Sequence, residues 1–137
     1  MPDDRVRIAD TREWFMRVAD DLRGAEVDLA ARPPLIKDAL FHCQQAVEKA
    51  LKGFLTWHDS PFNKTHELVQ LGSQCAKVDP TLEPLTQRTA PLTRYAWKFR
   101  YPGASVEPAV QEAQESLALA RELVGAVLAR LPAEVRP

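Results

Sequence analysis

Apolar side chains recur at three- and four-residue intervals along most of the chain, and prolines separate one such stretch from the next. From Asp10 or Thr11, residue types that cap helices, Phe15, Val18, Leu22, Ala25 and Leu29 define one helical face that runs until Pro33. The Pro33-Pro34 pair imposes an extended break. Beyond it Leu40, Cys43, Val47, Leu51 and Phe54 form a second seam, which predicts a helix over 35–58 ending at His58-Asp59-Ser60-Pro61. A shorter helix carrying Leu68, Leu71 and Cys75 is expected after the capping candidate Thr65, stopping before Asp79-Pro80. Within 81–100, Pro84 suits an opening turn whereas Pro91 divides the segment, so two short helical pieces are expected. Val106, Val110, Ala113, Leu117, Ala120, Val124, Val127 and Leu131 then alternate four- and three-residue spacings in the longest packing seam of the chain.

No β-branched run alternates over five or more positions, and neither Asn-Gly nor Asp-Gly marks a hairpin. The pattern therefore predicts an all-α, up-and-down helical bundle of four to five main helices joined by short Pro-rich links, a single domain over 1–137. Composition agrees: 137 residues, 45% hydrophobic and 27% charged, suffice for one core that needs neither metal nor disulfide. Cys43 and Cys75 are too few and too far apart for a disulfide framework, which fits a reducing compartment. The opening MPDDRVRIAD is acidic where a signal peptide is basic and then apolar, and no apolar run approaches membrane-spanning length. A cytoplasmic protein without membrane contact is expected.

Charge alters this picture locally rather than globally. Eighteen basic against nineteen acidic residues give a formal charge of −1, so an anion site must be a patch. One candidate is the segment RYAWKFRYPG, residues 94–103. Between Glu83 and Glu107 there is no acid, while Arg88, Arg94, Lys98 and Arg100 are interleaved with Tyr95, Trp97, Phe99 and Tyr101. Cations that pair with phosphate beside aromatic faces that stack on bases suit single-stranded nucleic acid or a nucleotide. The same residues equally suit a core containing Trp97 and Phe99, with arginines holding helix-terminal carbonyls or acidic partners. A second candidate is His42, Gln45, Lys49 and Lys52, flanked by Gln44 and Glu48, on the helical stripe opposite the apolar seam. It offers an imidazole, an amide and two ammonium groups to a phosphate or a partner carboxylate, although spacing alone favours a solvated polar face.

Catalytic signatures are sparse. There is no Gly-rich phosphate loop, GxSxG elbow or HExxH. His42, His58 and His66, even with the two cysteines, lack metal-ligand spacing, so neither a metal nor a cofactor is expected. Asp20 and Asp21 are helical neighbours that diverge, which reads as solvated surface. His66, directly after Thr65, suits a role in bonding or stacking on the loop backbone.

Taken together, FHCQQAVEKALKGFL (41–55), THEL (65–68) and RYAWKFRYPG (94–103) resemble the HEPN domain proteins, the higher eukaryotes and prokaryotes nucleotide-binding family. The resemblance spans nearly the whole chain and is closest to small stand-alone prokaryotic members, often encoded beside a minimal nucleotidyltransferase. It implies a commonly dimeric bundle with a functional groove near the dimer interface. By position, Gln45, Glu48, Lys49 and Lys52 match the family's signature helix, His66 its Thr-His segment, and Arg100, Tyr101 and Pro102 its Arg-Tyr-Pro segment. One departure matters: many members are ribonucleases with Arg followed, after four to six residues, by His. Here Arg88, Arg94 and Arg100 have no later histidine, and nine residues separate Arg32 from His42.

The resemblance, with the Arg-His motif missing, thus implies a non-catalytic or weakly catalytic module that binds a nucleotide, RNA or a nucleotidyltransferase partner, as part of a toxin–antitoxin-like pair. Gln45, Lys49, Lys52, Arg94, Lys98, Arg100 and Tyr101 are the expected binding residues, and Glu48, His66 and Pro102 the motif's structural ones. Tyr101 or Tyr95 is the expected acceptor of an adenylyl group from the partner. The alternatives are a metal-independent ribonuclease toxin using Arg100 with His42 or His66, and a structural module that assembles through exposed Val and Leu of the last helix.

Overall fold

The proline-free stretches are the helices. A computed structural model describes residues 4–99, 102–103 and 107–137. Five α-helices occur among them: α1 Asp4–Ala30, α2 Ile36–Trp57, α3 Leu68–Val78, α4 Glu83–Thr89 and α5 Val110–Leu128. Short 3-10 turns cover Pro80–Leu82, Ala90–Ala96 and Ala133–Val135, and no strand is present among the described residues. The bundle is all-α, as the periodicity predicts. Pro84 lies in the first turn of α4 and Pro91 in the first turn of the 3-10 segment, so the two prolines do open two short pieces.

Helix α2 is the centre of the bundle, packed against α1, α3, α5 and the 90–96 turn. Its seam of Leu40, Cys43, Val47, Leu51 and Phe54 is buried, as is Leu55. Burial of each large side chain of this kind contributes roughly 1.5–3 kcal/mol. The side facing α1 is built from small residues, Ala39, Ala46, Ala50 and Gly53. A Cβ at Gly53 would lie 2.7 Å from Phe15 Cε2, so the glycine is what lets the two helices approach there. Facing pairs run in opposite directions, Arg7 with Trp57, Phe15 with Gly53 and Asp21 with Lys49, which makes α1 and α2 an antiparallel hairpin. Helix α5 covers the opposite side with Ala113, Leu117, Ala120, Leu123, Val124 and Val127.

Three expectations need correction. Helix α1 begins at Asp4, not at Asp10 or Thr11, and Thr11 is fully buried inside it. Arg7 extends the helix by pairing with Asp4 at 2.9 Å and laying its guanidinium 4.1 Å from the Trp57 ring, a tertiary contact that local capping signals do not encode. Thr65 does not cap α3, whose first residue is Leu68; its Oγ1 instead accepts from the Glu67 amide, closing a turn ahead of the helix. Among the described seam positions of the last helix all but the partly exposed Val110 are buried within the chain, so those buried positions are not the exposed Val and Leu expected for assembly. Val106, the first residue assigned to that seam, lies outside the described residues. No helix among the described residues is long and apolar enough to cross a membrane.

Candidate functional site

Because α2 is covered on nearly all sides, its polar stripe is not a solvated face. Gln44, Glu48 and Lys52 are buried, at 0%, 3% and 9% exposure, and Gln45 and Lys49 are partly buried. Buried polar groups must find partners, and these do. Glu48 Oε1 accepts from Gln44 Nε2 at 3.0 Å and from His66 Nδ1 at 2.7 Å, while Oε2 accepts from Lys52 Nζ at 3.0 Å. Gln44 also donates to the His66 carbonyl at 3.3 Å and accepts from Gln45 Nε2 at 2.6 Å. Burial alone would push the Glu48 pKa up; the bonds from Gln44, His66 and Lys52 outweigh it and hold the carboxyl below its ordinary value. The glutamate is therefore an anion at neutral pH that orients the His66 ring. That ring is half exposed, and with its Nδ1 proton on Glu48 it turns Nε2 away from the buried carboxylate. Lys52 Nζ sits 5.8 Å from the Trp14 ring and 5.9 Å from that of Phe62, a cation held between aromatic faces.

A second carboxylate organises the other half of the stripe. Asp21 Oδ1 accepts from His42 Nδ1 at 2.9 Å and Oδ2 from Lys49 Nζ at 2.7 Å. The expectation that Asp20 and Asp21 are both solvated holds for Asp20 only; Asp21 is 7% exposed, because the α1 face it occupies is the one that α2 covers. His42 and Lys49 are thereby tied to α1, and His66 and Lys52 to Glu48, so the stripe is two separate ion-pair networks.

The basic and aromatic segment is more neutral in space than in sequence. Arg88 makes a two-pronged pair with Glu122 at 3.0 and 3.1 Å, and Arg94 Nη2 lies 3.4 Å from Glu112 Oε1. Both acids come from α5, which a local charge count cannot register. Tyr95 is 2% exposed and donates its hydroxyl to Glu112 at 2.7 Å. Burial, reinforced by this bond, raises its pKa above the ordinary tyrosine value, so the phenol stays protonated. Lys98 has no ion pair among the described residues, and its Nζ lies 5.3 Å from the Phe99 ring. Trp97 is 45% exposed, so it is not core, whereas Phe99 is partly buried and stacks on Tyr95. Arg100 and Tyr101 lie outside the described residues, while Pro102 and Gly103 form an exposed turn.

Where this segment meets the start of α2, Lys37, Asp38, Phe41, Tyr95 and Phe99 line an open hollow of roughly 370 Å³, within the size range of small-ligand sites. Lys37 Nζ lies 5.7 Å from the Phe99 ring. The Leu68 amide donates to Thr93 Oγ1 at 2.9 Å, which fastens the start of α3, just beyond His66, to the same segment. Lys37 and Phe41 are functional candidates that the sequence reading did not single out. Their signal was faint: they lie four apart, outside both charged runs. Cys43 and Cys75 are free and buried, and burial pushes both thiols up to about 12.

No curated protein and no solved structure matches the chain. The HEPN domain matches residues 11–131, which take in the α1–α2 hairpin, both ion-pair networks and the hollow. The chain therefore belongs to the HEPN domain family, helical modules of the nucleotide- and RNA-related class.

Proposed function

We propose that this HEPN module binds a phosphate-bearing ligand, a nucleotide or single-stranded RNA, at the hollow between α2 and the 94–99 segment, and that it works as a homodimer paired with a minimal nucleotidyltransferase. The observation that carries the reading is the hollow's chemistry: three aromatic rings, Phe41, Tyr95 and Phe99, with the Lys37 and Lys98 ammonium groups both within 6 Å of the Phe99 ring. A base stacks on the rings, Lys98 takes phosphate charge directly, and Lys37 does so by exchanging its exposed pair with Glu107 at 3.1 Å for the phosphate. Arg94 holds the rim through Tyr95 and Glu112 and becomes available when phosphate displaces Glu112. Calorimetric titration of ATP and of a short single-stranded RNA into the wild type and into Lys37→Ala, Lys98→Ala and Phe99→Ala tests this. Each substitution weakens binding at least fivefold, whereas unchanged affinity in all three variants overturns the site.

Pairing with a nucleotidyltransferase makes a tyrosine the acceptor of an adenylyl group: its hydroxyl oxygen bonds the α-phosphorus of ATP, losing its proton, as the α–β phosphoanhydride breaks and pyrophosphate leaves. Burial of Tyr95 favours Tyr101 as that residue. Intact mass after incubation with the partner and ATP reads the added group, and Tyr101→Phe abolishes it. A ribonuclease reading draws on His66, a half-exposed imidazole oriented by a buried carboxylate, the arrangement used for proton transfer. Incubation with total RNA in the absence of divalent metal decides it: no cleavage, or cleavage unaffected by His66→Ala, removes the enzyme.

A further inference from the structure

A third group of charges lies at the connected end of the α1–α2 hairpin, away from Glu48 and beside the hollow, whose lining it shares through Asp38. His42 gives its Nδ1 proton to Asp21, which fixes the ring and leaves Nε2 facing two carboxylates. Nε2 is 3.5 Å from Asp38 Oδ2 and 3.9 Å from Asp28 Oδ2. One ligand atom from each of Asp28, Asp38 and His42 lies within 4.8 Å of the other two. Asp28 is 7% exposed, and its Oδ2 is buried with no hydrogen-bond partner. A buried carboxylate oxygen left in this state is costly. On α2, Lys49 is held by Asp21 at 2.7 Å and Lys37 by Glu107 at 3.1 Å. Among the described residues neither carboxylate pairs with a lysine or arginine, so the two share the His42 ring. Gly24 supplies the remaining feature: a Cβ there would stand 2.9 Å from His42 Nε2, so only glycine leaves the ring lying against α1.

We propose that Asp28, Asp38 and His42 form a binding site for a divalent transition-metal ion, zinc best matching the donors, held by one oxygen of each carboxylate and by His42 Nε2. Bond lengths near 2.0–2.2 Å to zinc put tetrahedral ligands about 3.4 Å apart, so the separations of 3.5 and 3.9 Å from His42 are close to fit, and the two carboxylate oxygens, within 4.8 Å of each other, draw together on binding. Asp21 on the far ring nitrogen is the carboxylate–histidine–metal relay that sets the tautomer and raises the basicity of a metal-bound imidazole. Without an ion the two carboxyl groups can relieve their repulsion only by sharing a proton. Burial first and then the Asp38 carboxyl accordingly push Asp28 up to about 6. The half-exposed Asp38 gives the ion its entry, and three protein ligands leave a position for water or a ligand oxygen. The bound ion staples the C-terminal end of α1 to the first turns of α2.

The test is calorimetric titration of zinc into chelator-stripped full-length protein, with the melting temperature followed in parallel. Wild type binds one ion per chain, and its melting temperature rises by roughly 5 °C at a metal concentration ten times Kd. Asp38→Asn, an exposed position whose substitution leaves the helical circular dichroism intact, weakens binding at least tenfold. Asp28→Asn does the same while raising the melting temperature of the metal-free protein. Cobalt in place of zinc gives visible ligand-field bands in the wild type that both variants lose. Absence of saturable one-to-one binding, or binding in both Asn variants as strong as in the wild type, overturns the site and assigns the cluster to proton sharing alone.

Discussion

Replacing Glu48 with alanine removes the acceptor of three hydrogen bonds at once and leaves the Lys52 ammonium, on a side chain only 11% exposed, without its anion. Breaking a buried pair from one side costs about 3–5 kcal/mol, chiefly because the surviving charge has lost its water. Against a total stability of about 5–15 kcal/mol for a domain, this is a large fraction. With a urea dependence near 2 kcal/mol per molar, the unfolding midpoint falls by about 2 M at unchanged slope. Lys52→Met is milder, about 1–2 kcal/mol, since Gln44 and His66 still satisfy the glutamate. The double variant Glu48→Gln/Lys52→Met costs less than the sum of its parts by about 1–3 kcal/mol, because neither charge is then stranded. The pH dependence has a definite sign. Glu48 has a lowered pKa in the fold, so its contribution is present above the unfolded value near 4.3 and is lost as pH falls through the lower folded value. Urea midpoints between pH 5 and pH 3 decline more steeply in the wild type than in Glu48→Gln. A cost below 1 kcal/mol for Glu48→Ala, or strict additivity of Glu48→Gln with Lys52→Met, would refute the view of the network as a coupled buried unit.

Two glycines of the helices respond in opposite directions. Gly53→Ala forces a methyl against Phe15 and lowers stability by about 1–3 kcal/mol, whereas Gly125→Ala meets nothing within 4 Å in α5 and gains about 0.5–1 kcal/mol, both read from urea midpoints. Asp28 has the opposite pH sign to Glu48: with a folded value of about 6, its contribution is present below the unfolded value near 3.9 and lost as pH rises through 6. In the presence of a chelator, Asp28→Asn stabilises the protein at pH 8 by on the order of 1 kcal/mol and flattens the fall in stability between pH 4 and pH 6. Cys43 and Cys75, fully buried with thiols near 12, stay unlabelled by a thiol reagent in the native state and react only at the rate of unfolding.

Periodicity and proline placement were sufficient for the architecture because a helix's buried face is written in its own residues. Leu40, Cys43, Val47, Leu51 and Phe54 needed no outside information to be placed in the core. The errors lie where a distant element decides. Helix α1 starts early because Arg7 finds Trp57, fifty residues away. The polar stripe of α2 is buried because α1 covers it, and Asp21, which makes the covering tolerable, sits in a sequence neighbourhood that reads as surface. The basic segment loses part of its charge to Glu112 and Glu122 on α5. Cations, aromatics and histidines were legible as residue types; which acid each of them meets is a property of packing.

The central claim concerns the hollow lined by Lys37, Phe41 and Phe99, and one measurement addresses it directly. Fluorescence anisotropy of a labelled single-stranded RNA is recorded across a salt series with wild type and with the double variant Lys37→Ala/Lys98→Ala. Binding to the wild type saturates, the logarithm of its affinity falls linearly with the logarithm of salt concentration, and the slope is shallower by about 1–2 in the double variant, one phosphate contact fewer for each lysine. Equal affinity and equal slope in the two proteins would contradict it.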